Sequence, residues 1–460
     1  MPTRTLPDHA SLENLKKQAK DLAKDYRAGR PEAVARVAAA RPNVATAPGG
    51  RRFTLADAQL VVAREYGLKS WPRLLQHLAL DAGRRRCHEL DILFQEIRGV
   101  RSETLTVGEL LDREVEALLG AHRARVACAA TVVRQARWQY GRPEETDAAI
   151  FDVELTREQA REAIARWHLF GLAQQPSQQA SWAEAQRSAD AVVDRIFEAA
   201  VDAIVAGEAE ELAALVARAP AIVHARSPFG HHRTLLQHVA ANGIESSRQW
   251  QSPSNAVEIA RILIGAGADV DAPSDGPGGG WTALTLLVTS EHPAKAGVQA
   301  DLVEVLCRAG AKPDGIEDDG KPLWEAINFY YTPAVDRLVR CGARVDNLIF
   351  AASAGDREAV SRYFDAEGKL DLDRSATPAW AWRDWGERRL PGLARDHMLE
   401  YALIHAAVHG RREVVELLLS KGPDLAVREP FWNNTALDAA QYNRHAAIAA
   451  LIAAASATRG

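Results

Sequence analysis

The chain has 460 residues, 47% hydrophobic but only 6% aromatic, and a formal net charge of -5 at pH 7. This length accommodates two or three domains, or one extended array with a separate cap. The small charge gives no global reason to expect a nucleic-acid or membrane partner, and neither a signal peptide nor a membrane-spanning apolar stretch is evident. The composition, rich in Ala, Leu, Val and Arg, predicts a mostly helical protein, which we expect to be cytoplasmic.

The first predicted elements are two amphipathic helices in "SLENLKKQAKDLAKDYRAGRPEAVARVAAARP". Ser11 is the expected N-cap, and Asn14 stands where a full capping box needs Glu or Gln. A third helix from about Leu55 follows in "FTLADAQLVVAREYGLKSWPRLLQHL", and a last one begins at "SWP". We assign residues 1–82 to a helical cap module.

A looser version of the same pattern follows. "GELLDREVEALLGAHRARVACAATVVRQARW" has the character of the opening helix pair. "ELTREQAREAIARWHLFG" followed by "SWAEAQ" is similar to "TLADAQLVVAREYG" followed by "SWPRL". We interpret residues 83–190 as a second helical module, a degenerate copy of the first. Neither module has a nucleophile, metal or nucleotide signature.

From about residue 196 a two-helix unit recurs. Its first part is a short helix, as in "TLLQHVAANG" and "YALIHAAVHG", and its second is an amphipathic helix ending at Gly, as in "AVEIARILIGAGADVDA". A Thr can cap the short helix. Four glycines can adopt the left-handed conformation that ends the second helix: Gly267, Gly310, Gly342 and Gly422. One unit cannot bury its apolar face alone, so stability comes from stacking.

This unit resembles the ankyrin repeat, over roughly residues 196–457. The resemblance implies an all-α fold in which about seven irregular repeats form a solenoid in residues 191–460, after an all-helical N-terminal region. "LADAQLVVAREYG" and "SWPRL" resemble a helical module that often precedes ankyrin arrays in bacterial proteins. Insertions, which in solenoids tend to carry what is particular to a protein, are expected near 244–254, 272–281, 291–299 and 372–397.

The tryptophans of the array are the strongest functional signal. Ankyrin cores are built from Ala, Leu and Val, so these rings are not needed for stacking, whereas Trp and Arg dominate the energetic centres of interfaces. We expect a non-enzymatic scaffold that binds a protein partner through its concave groove, its fingers and the insertion "WAWRDW". A finger is the extended segment that follows the second helix of a repeat and leads to the next repeat. The expected binding residues are Trp250, Asp275, Trp281, Trp324, Trp380, Trp382, Arg383, Trp385 and Trp432. The alternative for the insertion is that its tryptophans fold back over an apolar edge.

Three polar residues of the short helices support an alternative function. His238, Glu325 and His405 occupy one repeat position, which in ankyrin arrays lines the concave side. An enzyme or small-molecule binder could use them to line a pocket, with acid/base roles. Successive repeats lie about 10 Å apart, so His238 and Glu325, two repeats apart, need strong curvature or a bridging water to interact. The structural alternative is that these histidines only pack or face solvent.

The cysteines have no paired spacing typical of metal ligands, so neither a metal nor a cofactor is expected. All four are interpreted as reduced thiols: Cys87, Cys128, Cys307 and Cys341. Cys307 and Cys341 occupy equivalent repeat positions at helix ends, in "VLCRAG" and "LVRCGA", and we interpret both as structural.

Overall fold

The computed structural model describes residues 11–40, 53–66, 105–138, 146–168, 180–230, 232–240, 252–274, 281–375 and 395–457, with isolated positions between 68 and 78. Two compact units make up the chain. The first comprises Met1–His168, Ser181–Asp194 and Ala206–Glu208, and the second comprises Leu169–Ala180, Arg195–Val205 and Ala209–Gly460. Within the described ranges the regular elements are helices, and extended segments pair only in isolated bridges. The expected all-α fold is confirmed.

Eight helices are described in the first unit. They are α1 Leu12–Arg27, α2 Pro31–Ala40, α3 Leu55–Glu65, α4 Val107–Arg123, α5 Ala127–Trp138, α6 Asp147–Phe151, α7 Arg157–Trp167 and α8 Ala180–Arg187. Helix α1 begins as predicted, because the Asn14 N–H donates to Ser11 Oγ at 3.5 Å. Helices α1, α2 and α3 pack on one another, and so do α4, α5 and α7. That parallel is compatible with duplication of residues 1–82 in 83–190, which stays a prediction.

Seven helix pairs, numbered here 1 to 7, form the described part of the second unit. They are α9 Arg195–Ala206 with α10 Ala209–Arg218, α11 Leu235–Val239 with α12 Ala256–Gly265, α13 Ala283–Val288 with α15 Gln299–Arg308, α16 Lys321–Asn328 with α17 Thr332–Arg340, α18 Leu348–Ala354 with α19 Arg357–Ser361, α21 Met398–Val408 with α22 Arg412–Leu419, and α23 Ala436–Tyr442 with α24 Ala446–Ala457. Two further short helices, α14 Glu291–Lys295 and α20 Leu372–Ser375, fall in two of the expected insertions.

The pairs stack in chain order. The first helices of pairs 2 to 7 pack successively, from α11 through α13, α16, α18 and α21 to α23, and second helices pack in the same way from α10 to α17 and from α19 to α24. One continuous core of buried apolar side chains runs from Phe197 to Ile452. The second unit is therefore a solenoid whose stability comes from neighbouring repeats.

Local sequence rules explain where these helices begin and end. The Thr234, Thr282 and Thr435 side chains each accept a hydrogen bond from the backbone N–H three residues later, as predicted for caps. The four predicted glycine stops all have positive φ: 92° at Gly267, 100° at Gly310, 96° at Gly342 and 77° at Gly422. A side chain would strain the backbone there, so glycine permits the turn out of the second helix.

Repeated aspartates tie successive fingers together. Asp271, four residues after Gly267, accepts a hydrogen bond from the Lys312 N–H at 3.2 Å. Asp314, four residues after Gly310, accepts one from the Arg344 N–H at 2.8 Å. The same position of the repeat therefore fixes the register of each finger against the next. None of the helices in the described ranges has the length and apolar character needed to cross a membrane.

Candidate functional site

Three of the nine expected binding residues lie in the part of the chain that the structure describes. The other six lie outside the described residues: Trp250, Asp275, Trp380, Trp382, Arg383 and Trp385. The structure does describe the remaining three tryptophans and the three residues of the alternative site. Their surroundings differ enough to assign them different roles.

Trp281 and Trp324 are core residues, which corrects the expectation that array tryptophans are not needed for stacking. Trp281 is 3% exposed, and the Lys321 Nζ atom lies 4.6 Å from its ring centroid. Trp324 is 2% exposed and stacks on Phe350, with ring centroids 6.3 Å apart. Neither ring is presented to a partner, because each fills space between adjacent pairs.

Trp432 behaves differently, since 45% of it is exposed. Its indole Nε1–H donates to the Asn328 carbonyl oxygen at 2.7 Å. Trp432 lies between pairs 6 and 7, whereas Asn328 ends α16 of pair 4. The indole is thus held in one orientation by a residue 104 positions away, while part of its surface stays accessible.

Aromatic side chains gather around Trp432. Buried Tyr330 is at the centre, with its ring centroid 6.2 Å from that of Trp432 and 5.9 Å from that of Tyr442. Tyr442, at the end of α23, is 70% exposed. We call these residues the aromatic patch: Phe329, Tyr330, Tyr331, Phe431, Trp432 and Tyr442. Edge-to-face pairs join Phe329 to both Phe431 and Trp432.

A buried carboxylate shapes the finger that carries Trp432. Glu429 is 1% exposed, and its oxygens accept from the backbone N–H groups of Phe431 and Trp432, both at 2.6 Å. Burial raises the pKa of Glu429, and these N–H donors oppose that shift by stabilising the charged form. The hydrogen bonds pre-organise the turn, so the exposed Trp432 ring is displayed by an ordered finger.

Residues of pairs 4 and 6 contact each other where the patch forms. The His409 ring, at the end of α21, lies 2.8 Å through Nδ1 from Thr332 Oγ1 and 3.3 Å through Nε2 from the Ile327 carbonyl oxygen. A carbonyl only accepts, so Nε2–H donates and Nδ1 accepts from the Thr332 hydroxyl. Pairs 4 and 6 therefore meet across pair 5. Burial lowers the pKa of His409 far below its usual range, and nearby His405 and Arg411 add to this shift.

The three residues of the alternative site are not arranged alike. His238 Nδ1 lies 2.9 Å from the Thr234 carbonyl oxygen of its own helix, and its ring packs edge-on against Phe197. His405 instead packs against pair 4, with its ring centroid 6.1 Å from that of Trp324 and 6.3 Å from that of Tyr330. His405 therefore lies near the helix of Glu325, whereas His238 belongs to the surroundings of pair 1.

Burial favours the neutral form of both His405 and Glu325. Both ring nitrogens of His405 and Oε2 of Glu325 are buried without a hydrogen-bond partner among the described residues. Burial lowers the pKa of His405 to about 4. Burial raises the pKa of Glu325 to about 7, with Lys321 acting in the opposite direction. At neutral pH His405 is neutral, so it does not form an ion pair with the carboxylate.

No group of three or more His, Cys, Asp or Glu side chains suited to a metal ion is found where the structure is described. A small apolar cavity lies between pairs 2 and 3, and a surface pocket lies along α15 and α17. Neither of these two is lined by His238, Glu325 or His405.

Comparison with known proteins supports the repeat assignment. The ankyrin repeat family model matches residues 400–429, which span most of pair 6 and its finger. The fold of the second unit is an ankyrin-repeat solenoid. The crystal structure of the human ASB11 ankyrin repeat domain is similar at 20% identity with a TM-score of 0.30, covering 54% of this chain and 91% of that chain. No curated protein matches the chain. Ankyrin repeats are generally scaffolds for protein–protein interaction.

The expected binding residues did not include Tyr330 or Tyr442. The run "INFYYTP" places three consecutive aromatic residues in the turn between α16 and α17, where the other repeats carry small or polar residues. That run is the signal that points to an unusual surface. Tyr442 sits at the end of an ordinary short helix and has no comparable signal.

Proposed function

We propose that this protein is a non-enzymatic recognition scaffold and that the aromatic patch binds a protein partner. The observation that carries the proposal is the exposure of two large rings that both contact the same buried tyrosine. Trp432 and Tyr442 are the exposed large hydrophobic residues among the described residues of the second unit, and both contact Tyr330. Scattered exposed apolar residues are ordinary, whereas two exposed aromatic rings joined through a third suit an interface.

The order of the patch supports binding with a small entropic cost. The hydrogen bond to Asn328 fixes the Trp432 indole, and Glu429 fixes the backbone of its finger. Rings that are already oriented lose little freedom when a partner covers them. Tyr442 also provides a polar O–H group, which suits a surface that is wet when free and buried when bound.

The partner is expected to cover the two exposed rings with apolar side chains. Arg428 lies close by, and its guanidinium donates to the Asn433 carbonyl oxygen at 2.6 Å and to Asp438 at 3.1 Å. These ion-paired groups form a polar rim rather than a cationic surface. A protein surface matches this mixture better than a phosphate backbone does.

The concave groove and the insertion "WAWRDW" remain proposed contacts on the grounds of sequence alone. The substitution Trp382→Ala tests the insertion, because it should weaken partner binding without lowering the melting temperature. A large loss of stability would instead assign the insertion a structural role. This test is independent of the aromatic patch.

The patch itself is tested with the full-length protein as bait in lysate of its native cell. Wild type is compared with a Trp432→Ala/Tyr442→Ala double variant and with Val153→Ala, a control that removes an exposed apolar side chain from the first unit. We expect a partner captured by wild type and control to be lost from the double variant. Calorimetry with the purified partner should show at least about 30-fold weaker binding, if each ring contributes about 1 kcal/mol or more.

Tyr442→Ala alone separates binding from folding. Its side chain is 70% exposed, so the substitution should leave the melting temperature nearly unchanged. Undiminished affinity of both variants for the captured partner would refute the proposal.

A further inference from the structure

Two cysteines of neighbouring pairs line one surface pocket on the side of the solenoid formed by the second helices. Cys307 is in the last turn of α15, and Cys341 directly follows α17. These two helices pack against each other. Cys307 lies three residues before Gly310 and Cys341 one residue before Gly342, so the two cysteines occupy nearby but not equivalent positions of adjacent repeats.

The thiol pair is accessible. Both cysteines are partly exposed and free, and both line the surface pocket along α15 and α17. The rest of its lining is charged: Glu304, Arg308, Arg337 and Arg340. Glu304 forms ion pairs with Arg308 and with Arg337, which leaves the pocket with an excess of positive charge. Such surroundings attract an anionic reagent.

We propose that Cys307 and Cys341 form a reversible redox site, in which a low-molecular-weight disulfide oxidises the two thiols to one disulfide joining pairs 3 and 4. The Cys341 thiolate attacks one sulfur of the reagent, whose S–S bond breaks to release one thiolate. Cys307, after losing its proton, attacks the Cys341 sulfur and releases the second thiolate. The protein loses two electrons and two protons, and the reagent becomes two thiols.

The order of attack follows from the two environments. Burial and the adjacent Cys341 raise the pKa of the Cys307 thiol, so Cys307 forms a thiolate less readily. We therefore assign the first attack to Cys341 and the resolving step to Cys307. An excess of dithiol reductant reverses both steps.

The test uses the reduced full-length protein incubated with oxidised glutathione. Peptide mapping by mass spectrometry should find Cys307 joined to Cys341, and dithiothreitol should separate them. The cross-link constrains the unfolded array, so the melting temperature should rise by roughly 5–10 °C. Cys307→Ser and Cys341→Ser are the matched controls and should show neither the cross-linked peptide nor the rise.

The mapping also decides the order of attack. In Cys307→Ser, glutathione should remain attached at Cys341, because no resolving thiol is present. The proposal is overturned if glutathione accumulates at both cysteines of the wild type without a cross-linked peptide, or if both stay unmodified while Cys87 and Cys128 react. The wild-type map alone distinguishes these outcomes if a serine variant fails to fold.

Discussion

Removing the imidazole of His405 should reduce the fall in unfolding free energy that acidification causes. Its side chain is 1% exposed, and both ring nitrogens are buried without a partner among the described residues. The folded state therefore holds the neutral form, whereas the unfolded chain binds a proton as the pH falls. The variant His405→Leu keeps an apolar side chain of similar size in the core and removes the titrating group.

The size of the effect follows from the difference in pKa between the two states. Burial lowers the pKa of His405 to about 4 from an ordinary value of 6.5. Stability is unaffected well above pH 6.5 and falls as the pH drops toward 4, because only the unfolded state gains a proton in that window. Between pH 7.5 and pH 5.0 the loss attributable to His405 is about 2 kcal/mol.

The assay is urea unfolding at both pH values, for wild type, His405→Leu and His224→Leu. The His224 variant controls for loss of an exposed imidazole from the same unit. We expect the fall in unfolding free energy from pH 7.5 to 5.0 to be about 2 kcal/mol smaller in His405→Leu. An unchanged pH dependence would refute the inference that the folded state holds His405 in its neutral form. Wild-type stability that rises on acidification because of His405 would instead indicate an acid/base pair with Glu325.

Two further predictions concern residues whose roles the structure reassigns. Trp324→Ala should lower the unfolding free energy by about 3–5 kcal/mol in urea denaturation, because it empties a core position between Phe350 and His405, and a loss below about 1 kcal/mol would contradict that placement. Burial raises the pKa of Glu325 from 4.5 to about 7, so the folded state favours the protonated carboxyl. The contribution of Glu325 to the unfolding free energy is therefore fully present below pH 4.5 and is lost as the pH rises through 7. Glu325→Gln should therefore stabilise the protein by up to about 3 kcal/mol at pH 8 and hardly at pH 4, and equal effects at both pH values would contradict the shift.

Much of the fold followed from local sequence. The caps at Thr234 and Thr435 and the stops at Gly267 and Gly342 depend on a few neighbouring residues, so spacing alone located them. The number of helix pairs followed in the same way, because each pair repeats the same signals. These features are short in range, and tertiary contacts did not override them.

The site was harder to predict, because it depends on contacts between distant residues. The burial of Trp324 depends on Phe350 and His405, which belong to later pairs, and a general rule about ankyrin cores gave the wrong environment. The position of Trp432 depends on a hydrogen bond to Asn328, a residue of pair 4 that lies 104 positions earlier in the chain. The sequence pointed to Trp432 as unusual but not to Tyr442, and it did not show which aromatic residues would meet.

Photo-crosslinking from position 442 tests the central claim most directly. The photoreactive analogue p-benzoylphenylalanine replaces Tyr442 in one variant and Val153, on the first unit, in another. Irradiation in native-cell lysate should attach a specific protein at position 442, and unlabelled wild-type protein should compete it away, while position 153 gives no such adduct. The absence of an adduct at position 442, with the partner still captured by that variant, would contradict binding at the aromatic patch.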